Sequence, residues 1–118
     1  MRRNTAMTKY VIDDLELVGS FSVDSGQAMV GDPCYLDSWQ NNKDEPFELD
    51  GKVGDYSYLG ACATTISSGA GELGISSAIV FSTGYGDGHY PVYVKYNEDG
   101  RIVKVVIDFE DDLDEDNE

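Results

Sequence analysis

Strict alternation of apolar and polar positions marks the C-terminal part of the chain. In YPVYVKYNEDGRIVKVVIDF, Tyr90, Val92, Val94 and Tyr96 fall on one side of an extended backbone, with Tyr93 and Lys95 on the other. Beyond Asn97, Glu98, Asp99 and Gly100, the residues Ile102, Lys104, Val106 and Asp108 alternate with Val103, Val105 and Ile107. A period of two carried by β-branched and aromatic residues around an Asp-Gly turn predicts a half-buried antiparallel hairpin.

Shorter apolar runs predict further strands upstream. Val18, Phe21 and Val23 precede Asp24, Ser25 and Gly26, and Ala28, Met29 and Val30 follow, so a first hairpin is expected around that turn. Asp32 and Pro33 end it, because proline lacks the donor a ladder needs. Tyr35, Leu36 and Trp39 have the i, i+1, i+4 spacing of one short helix, and Asp50 with Gly51 supplies another turn. Over 56–66, Tyr56, Tyr58, Gly60, Cys62, Thr64 and Ile66 occupy alternate positions, which predicts a strand. SGAGELGI reads as a glycine-rich turn into a buried strand, Ala78, Ile79, Val80 and Phe81. No segment longer than about eight residues has helical periodicity. The expected architecture is mainly β, with roughly seven short strands in a small antiparallel β-sandwich or partly open barrel and at most one short helix.

A length of 118 residues suits one domain. The expected organisation is a disordered leader over 1–9 (with Met7 an alternative start), a single β domain over 10–109 and a disordered acidic tail over 110–118. The net charge of −15 is unevenly spread, because 108–118 holds eight carboxylates and no base. Such a run repels itself and stays extended. Its bland role is solubility; its functional alternative is imitation of a nucleic acid. Direct nucleic-acid binding is not expected, since phosphate contacts need clustered Lys and Arg. No apolar run approaches the ~20 residues that span a bilayer, and the basic start lacks the apolar core of a secretory signal. A cytoplasmic location is expected. Cys34 and Cys62 are too few for a disulfide framework and lack zinc-site spacing, so free, mostly buried thiols are expected.

Candidate chemistry concentrates in STGYGDGHYPVY. Gly84, Gly86 and Gly88 alternate with Tyr85, Asp87 and His89 before a strand. Glycines so spaced let the backbone approach a ligand and present consecutive N–H groups to an anion; the structural alternative is a glycine-rich bend or bulge. A dinucleotide-binding fingerprint needs a helix where this sequence has a strand, and no P-loop is present. His89 has no nucleophile in a recognised motif beside it. Asp24, Asp32 and Asp87 raise the idea of a calcium site, but the spacing is not that of an EF-hand, and each is explained by its own turn. Neither a metal nor another cofactor is expected. Tyr85, Tyr90 and Tyr93 are candidates to stack on a planar ring, with core and cross-strand packing the competing role, above all for Tyr90.

VDSGQAMVGDPCYL together with GYGDGHYPVYVKYNEDGRIVKVVIDF resembles a family of small, uncharacterised proteins of bacteria and bacteriophages. Its hallmark is the Gly-Asp-Gly-x-Tyr-Pro-Val-Tyr segment, here residues 86–93, leading into a terminal hairpin. The resemblance covers about half the chain and implies a β fold and a phage accessory role. It carries no established activity.

These readings converge on a non-enzymatic binding protein that sequesters a small anionic or nucleotide-like host signal. The expected ligand contacts are Asp24, Ser25, Asp32, Tyr35, Gly84, Tyr85, Gly86, Asp87, Gly88, His89 and Tyr90, where the 24–26 turn, the 32–35 corner and the 84–90 loop would meet. The alternatives are an acidic inhibitor module that engages a basic host protein, and a small hydrolase built on Asp24, Asp32, Asp87 and His89. Symmetric pairing of exposed edge strands is one route to a homo-oligomer.

Overall fold

The computed structural model describes residues 14–46 and 52–111. Among them are six named strands, one α-helix and one 3-10 helix, arranged as two three-stranded antiparallel sheets with no closed barrel. The mainly β expectation holds. Backbone contacts divide the chain into two compact units, one made of Met1–Asp24 with Asp87–Glu118 and the other of Ser25–Gly86.

The first unit is one sheet. Strand β1 (Glu16–Val23) and strand β6 (Ile102–Ile107) flank strand β5 (Gly88–Tyr96). The β5–β6 pair is the hairpin expected from alternation, with Val94 opposite Val105 and Lys95 opposite Lys104. Its turn is closed by Asn97, whose backbone N–H donates to Arg101 O and whose side-chain oxygen accepts from the N–H groups of Asp99 and Arg101. Gly100 takes φ +81°, which an L side chain there would resist. Tyr90, Pro91 and Val94 are buried, as is Val23 on β1.

The second unit holds strand β2 (Gln27–Gly31), the 3-10 helix (Pro33–Ser38), helix α1 (Tyr58–Ser68), strand β3 (Ala70–Leu73) and strand β4 (Ala78–Ser82). Its sheet has the order β2-β4-β3. Directly opposite residues in a sheet share a face, so the rows Met29–Val80–Gly71 and Gly31–Ala78–Leu73 point the same way. That face carries the core: Leu73, Ala78 and Val80 pack with Ala61 of α1, while Trp39 and Tyr56 lean against them. Gly71 is required for this packing, since an added Cβ would stand 2.8 Å from the Thr64 methyl of α1.

Three sequence expectations are corrected. The expected β1–β2 hairpin does not form: β1 pairs with β5 and β2 with β4. The chain leaves one sheet at Val23 and enters the other at Gln27, then returns between Ser82 and Gly88. The DSG turn therefore switches sheets rather than closing a hairpin. Residues 58–66, expected as a strand, are helical. Ser57 caps the helix by accepting from Gly60 N, Asn42 Oδ1 accepts from Leu59 N, and Gly69 ends the helix in the left-handed region at φ +85°. The buried positions Leu59, Gly60, Ala61, Ala63 and Thr64 gather on one side of the helix, whereas Ile66, which the strand reading puts on the same face as Gly60 and Thr64, is 65 % exposed. The glycine-rich stretch read as a turn contributes β3, with the turn itself at 74–77.

The short helix expected from Tyr35, Leu36 and Trp39 is present as the 3-10 turn, started by Pro33 with Asp32 as its cap. Both cysteines are free, as expected, but Cys34 is exposed and Cys62 only half-buried, where mostly buried thiols were expected. The turn at Asp50 and Gly51, the leader and the tail beyond Asp111 lie outside the described residues.

Candidate functional site

The expected ligand contacts are distributed over both units. Asp24, Asp87, Gly88, His89 and Tyr90 belong to the first unit; Ser25, Asp32, Tyr35, Gly84, Tyr85 and Gly86 belong to the second. In the first, Asp24 follows Val23 and Asp87 precedes Gly88, and those two neighbours are cross-strand partners. His89 stands opposite Ser22; its Nε2 is 2.9 Å from Ser20 Oγ and its Nδ1 is 3.4 Å from Ser22 Oγ, on an exposed strand surface. Tyr90 has no solvent exposure and packs edge-on against Phe109, with ring centroids 5.1 Å apart. Its role is core packing.

In the second unit the 84–86 turn lies beside Gly26. Buried Thr83 ties them together: its N–H donates to Gly26 O at 3.0 Å, and its hydroxyl reaches Gly86 O at 2.7 Å and Gly26 O at 3.3 Å. Gly84 and Gly86 have φ of +86° and +89°, which fold the backbone tightly enough to bring the Gly86 carbonyl to Thr83. Ser82 Oγ accepts from Gly84 N, so that N–H is already engaged. Tyr85 sits 68 % exposed at the tip.

Asp32 and Tyr35 lie at the far end of β2 from Ser25, separated by a five-residue strand, roughly 16 Å of extended chain. Asp32 Oδ1 accepts from Cys34 N, and Asp32 and Tyr35 line a cleft of about 190 Å³ with Val30, Glu72 and Ile79. Within the second unit, then, Gly26 and the 84–86 turn come together through Thr83, and the 32–35 corner stands apart.

A second cavity, of about 200 Å³, lies between α1, β2 and β4. Ala28, Met29, Trp39, Ala61 and Val80 give it apolar walls; Ser25, Gln27 and Tyr58 contribute its polar groups. Of the expected ligand contacts, only Ser25 is among them. Tyr58, Cys62 and Thr65 are spaced i, i+4 and i+7, which sets them on one face of α1. That face holds Gln27: its amide Nε2 donates to Cys62 Sγ at 3.3 Å, and its Oε1 accepts from the Thr65 hydroxyl at 3.1 Å. Trp39 is fixed in turn by Tyr56, edge-on at 5.1 Å, and by the bonds between Gln40 and the backbone of Tyr56 and Tyr58. The pocket is thus pre-formed by an anchored amide and a braced indole.

Tyr58 keeps its proton unusually well. Interaction with the Cys62 thiol is the largest cause, burial adds to it, and the Ser25 hydroxyl opposes both, leaving the phenol above its ordinary value. A raised value in the folded state contributes stability that is complete below the ordinary tyrosine value of about 10 and is lost as pH rises through the folded value. Replacing Tyr58 by phenylalanine is therefore expected to flatten the decline of Tm above about pH 10. Parallel Tm profiles for the two proteins, measured by circular dichroism, would contradict this.

The pocket residues were legible only once the helix was known. Read as a strand, 56–66 sends Tyr58 and Cys62 to one face and Thr65 to the other, so the grouping that anchors Gln27 is invisible. Among the described residues, no group of three or more His, Cys, Asp or Glu side chains is placed to hold a metal ion. No helix among them is long and apolar enough to cross a membrane. Nothing matches among curated proteins or among solved structures. A family model does match, over residues 11–107, and it takes in β1 through β6 together with the pocket. The chain belongs to the family described as protein of unknown function (DUF4241).

Proposed function

We propose that this protein is a non-enzymatic binding protein whose small-molecule ligand occupies the pocket between α1, β2 and β4. The observation that carries the reading is a cavity of about 200 Å³ with mostly apolar walls and a few anchored polar groups. Ligand sites have that composition, and their usual volumes of ~300–1,000 Å³ suit whole drug-sized molecules. A pocket of this size suits one ring or a short apolar group, with the rest of the ligand outside.

Binding fits better than catalysis. Among the described residues, the closest approach to a nucleophile–base pair is Ser20 with His89, and neither residue lines the pocket. Sequestration of a small signal molecule needs only the pocket and tight, slow release. Native mass spectrometry of gently purified protein tests the reading. An added mass that disappears on denaturation, and that is absent from Gln27→Ala protein, is expected. A ligand retained equally by Gln27→Ala would place binding elsewhere.

A further inference from the structure

Resting on that pocket reading, we infer that the bound group is an uncharged heteroaromatic ring of the nucleobase class, gripped through its ring and hydrogen-bonding edge rather than through a phosphate. Three observations converge on this ligand. The first is charge. No Asp, Glu, Lys, Arg or His lines the pocket, and the described part of its unit carries only two cations, Lys43 and Lys52. In a chain of net charge −15, an anion arriving here meets a repulsive field with no counter-charge to offset it.

The second is shape. The indole of Trp39 lines the pocket with Met29 and Val80 and is braced by Tyr56, so a flat surface is present before the ligand arrives. Flat rings stack on such surfaces with roughly ten- to hundredfold gains in affinity, whatever their identity. The third is the polar edge. A glutamine amide carries two donors and two acceptor lone pairs. Cys62 and Thr65 use one of each among the described residues, leaving one N–H and one lone pair of Gln27 for a ligand, in an orientation already fixed. The Ser25 and Tyr58 hydroxyls add two groups that both donate and accept. A hydrocarbon ring would leave the spare N–H and lone pair of Gln27 unpaired, whereas a nucleobase edge pairs with them and can also reach the Ser25 and Tyr58 hydroxyls, which already interact with each other.

Isothermal calorimetry on the full chain tests this with adenosine, guanosine, cytidine and uridine, their 5′-monophosphates, and indole as a ring with a single donor. At least one nucleoside is expected to bind more tightly than its own monophosphate, with the gap widening several-fold as salt is lowered, because screening of the protein's field is removed. Gln27→Ala should weaken that nucleoside roughly tenfold or more and leave indole nearly unchanged. A monophosphate that binds more tightly than its nucleoside overturns the inference and leaves the pocket reading intact. So does a protein that binds indole and no nucleoside. If no ring binds at all, both fall together. Far-ultraviolet dichroism of Gln27→Ala guards against misfolding, and Gln27→Glu gives an independent check: a new carboxylate there should discriminate still further against the monophosphates.

Discussion

Replacing Gly60 by valine is expected to destabilise the protein by about 3 kcal/mol or more, lowering Tm by roughly 12–24 °C for a domain of this size. Gly60 lies in the first turn of α1 and is buried. A Cβ added there would stand 2.7 Å from the carbonyl carbon of Asp55 and nearer still to its oxygen. Backbone rather than a flexible side chain blocks the space, and Asp55 cannot retreat freely. Its N–H donates to Lys52 O and its carbonyl accepts from Ser57 N, the residue that caps the helix. The side chain would therefore have to push α1 off its own cap. Because α1 carries Tyr58, Cys62 and Thr65, ligand binding should fall with stability. Thermal denaturation of Gly60→Ala and Gly60→Val checks this, and a Tm within 2–3 °C of wild type for the valine variant, well under 1 kcal/mol, would contradict the packing described.

Tyr90→Ala should be comparably damaging, by about 3–5 kcal/mol, through loss of a large core side chain and the cavity it leaves. Tyr90 is fully buried, lies opposite Phe21 across the β1–β5 pair and meets Phe109 edge-on. Tyr85→Ala, five positions earlier in the chain, should stay within about 0.5 kcal/mol because that residue is 68 % exposed. Equilibrium urea unfolding of the two variants separates a core tyrosine from a surface one. Similar midpoints for both would contradict the burial assigned here. The contrast also shows that the stretch 84–93 singled out from the sequence mixes residues of quite different roles.

The features legible in the sequence were local. Alternation over 90–108 specified the β5–β6 hairpin because period two on both sides of one Asp-Gly turn leaves little choice of pairing; the register shift between Lys95 and Tyr96 was not legible. The β4 strand and the 3-10 turn after Asp32 were likewise written in short runs. Pairing of β1 with β5 was not, because it joins segments about 70 residues apart, and the DSG turn looks the same whether the chain folds back or crosses to another sheet. Helix α1 was misread for a different reason. Its Thr64, Thr65 and Ile66 are β-branched, and its alternate positions imitate a strand. The decisive signals were at its ends, Ser57 as cap and Gly69 as stop, rather than in its middle. Missing the helix concealed the pocket, since the residues around Gln27 assemble only at a spacing of i, i+4 and i+7.

Backbone and side-chain amide NMR of the labelled protein, with and without the ligand recovered by native mass spectrometry, tests the central claim most directly. The chain has one tryptophan, so its indole N–H gives a single resolved signal for Trp39. The expected result is a saturable shift of that signal together with the Gln27 side-chain amide and the backbone of Tyr58, while Asp32, Tyr35 and Glu72 in the 190 Å³ cleft stay in place. Shifts confined to that cleft, or to Gly84, Tyr85 and Gly86, with Trp39 and Gln27 unmoved, would contradict the pocket as the functional site.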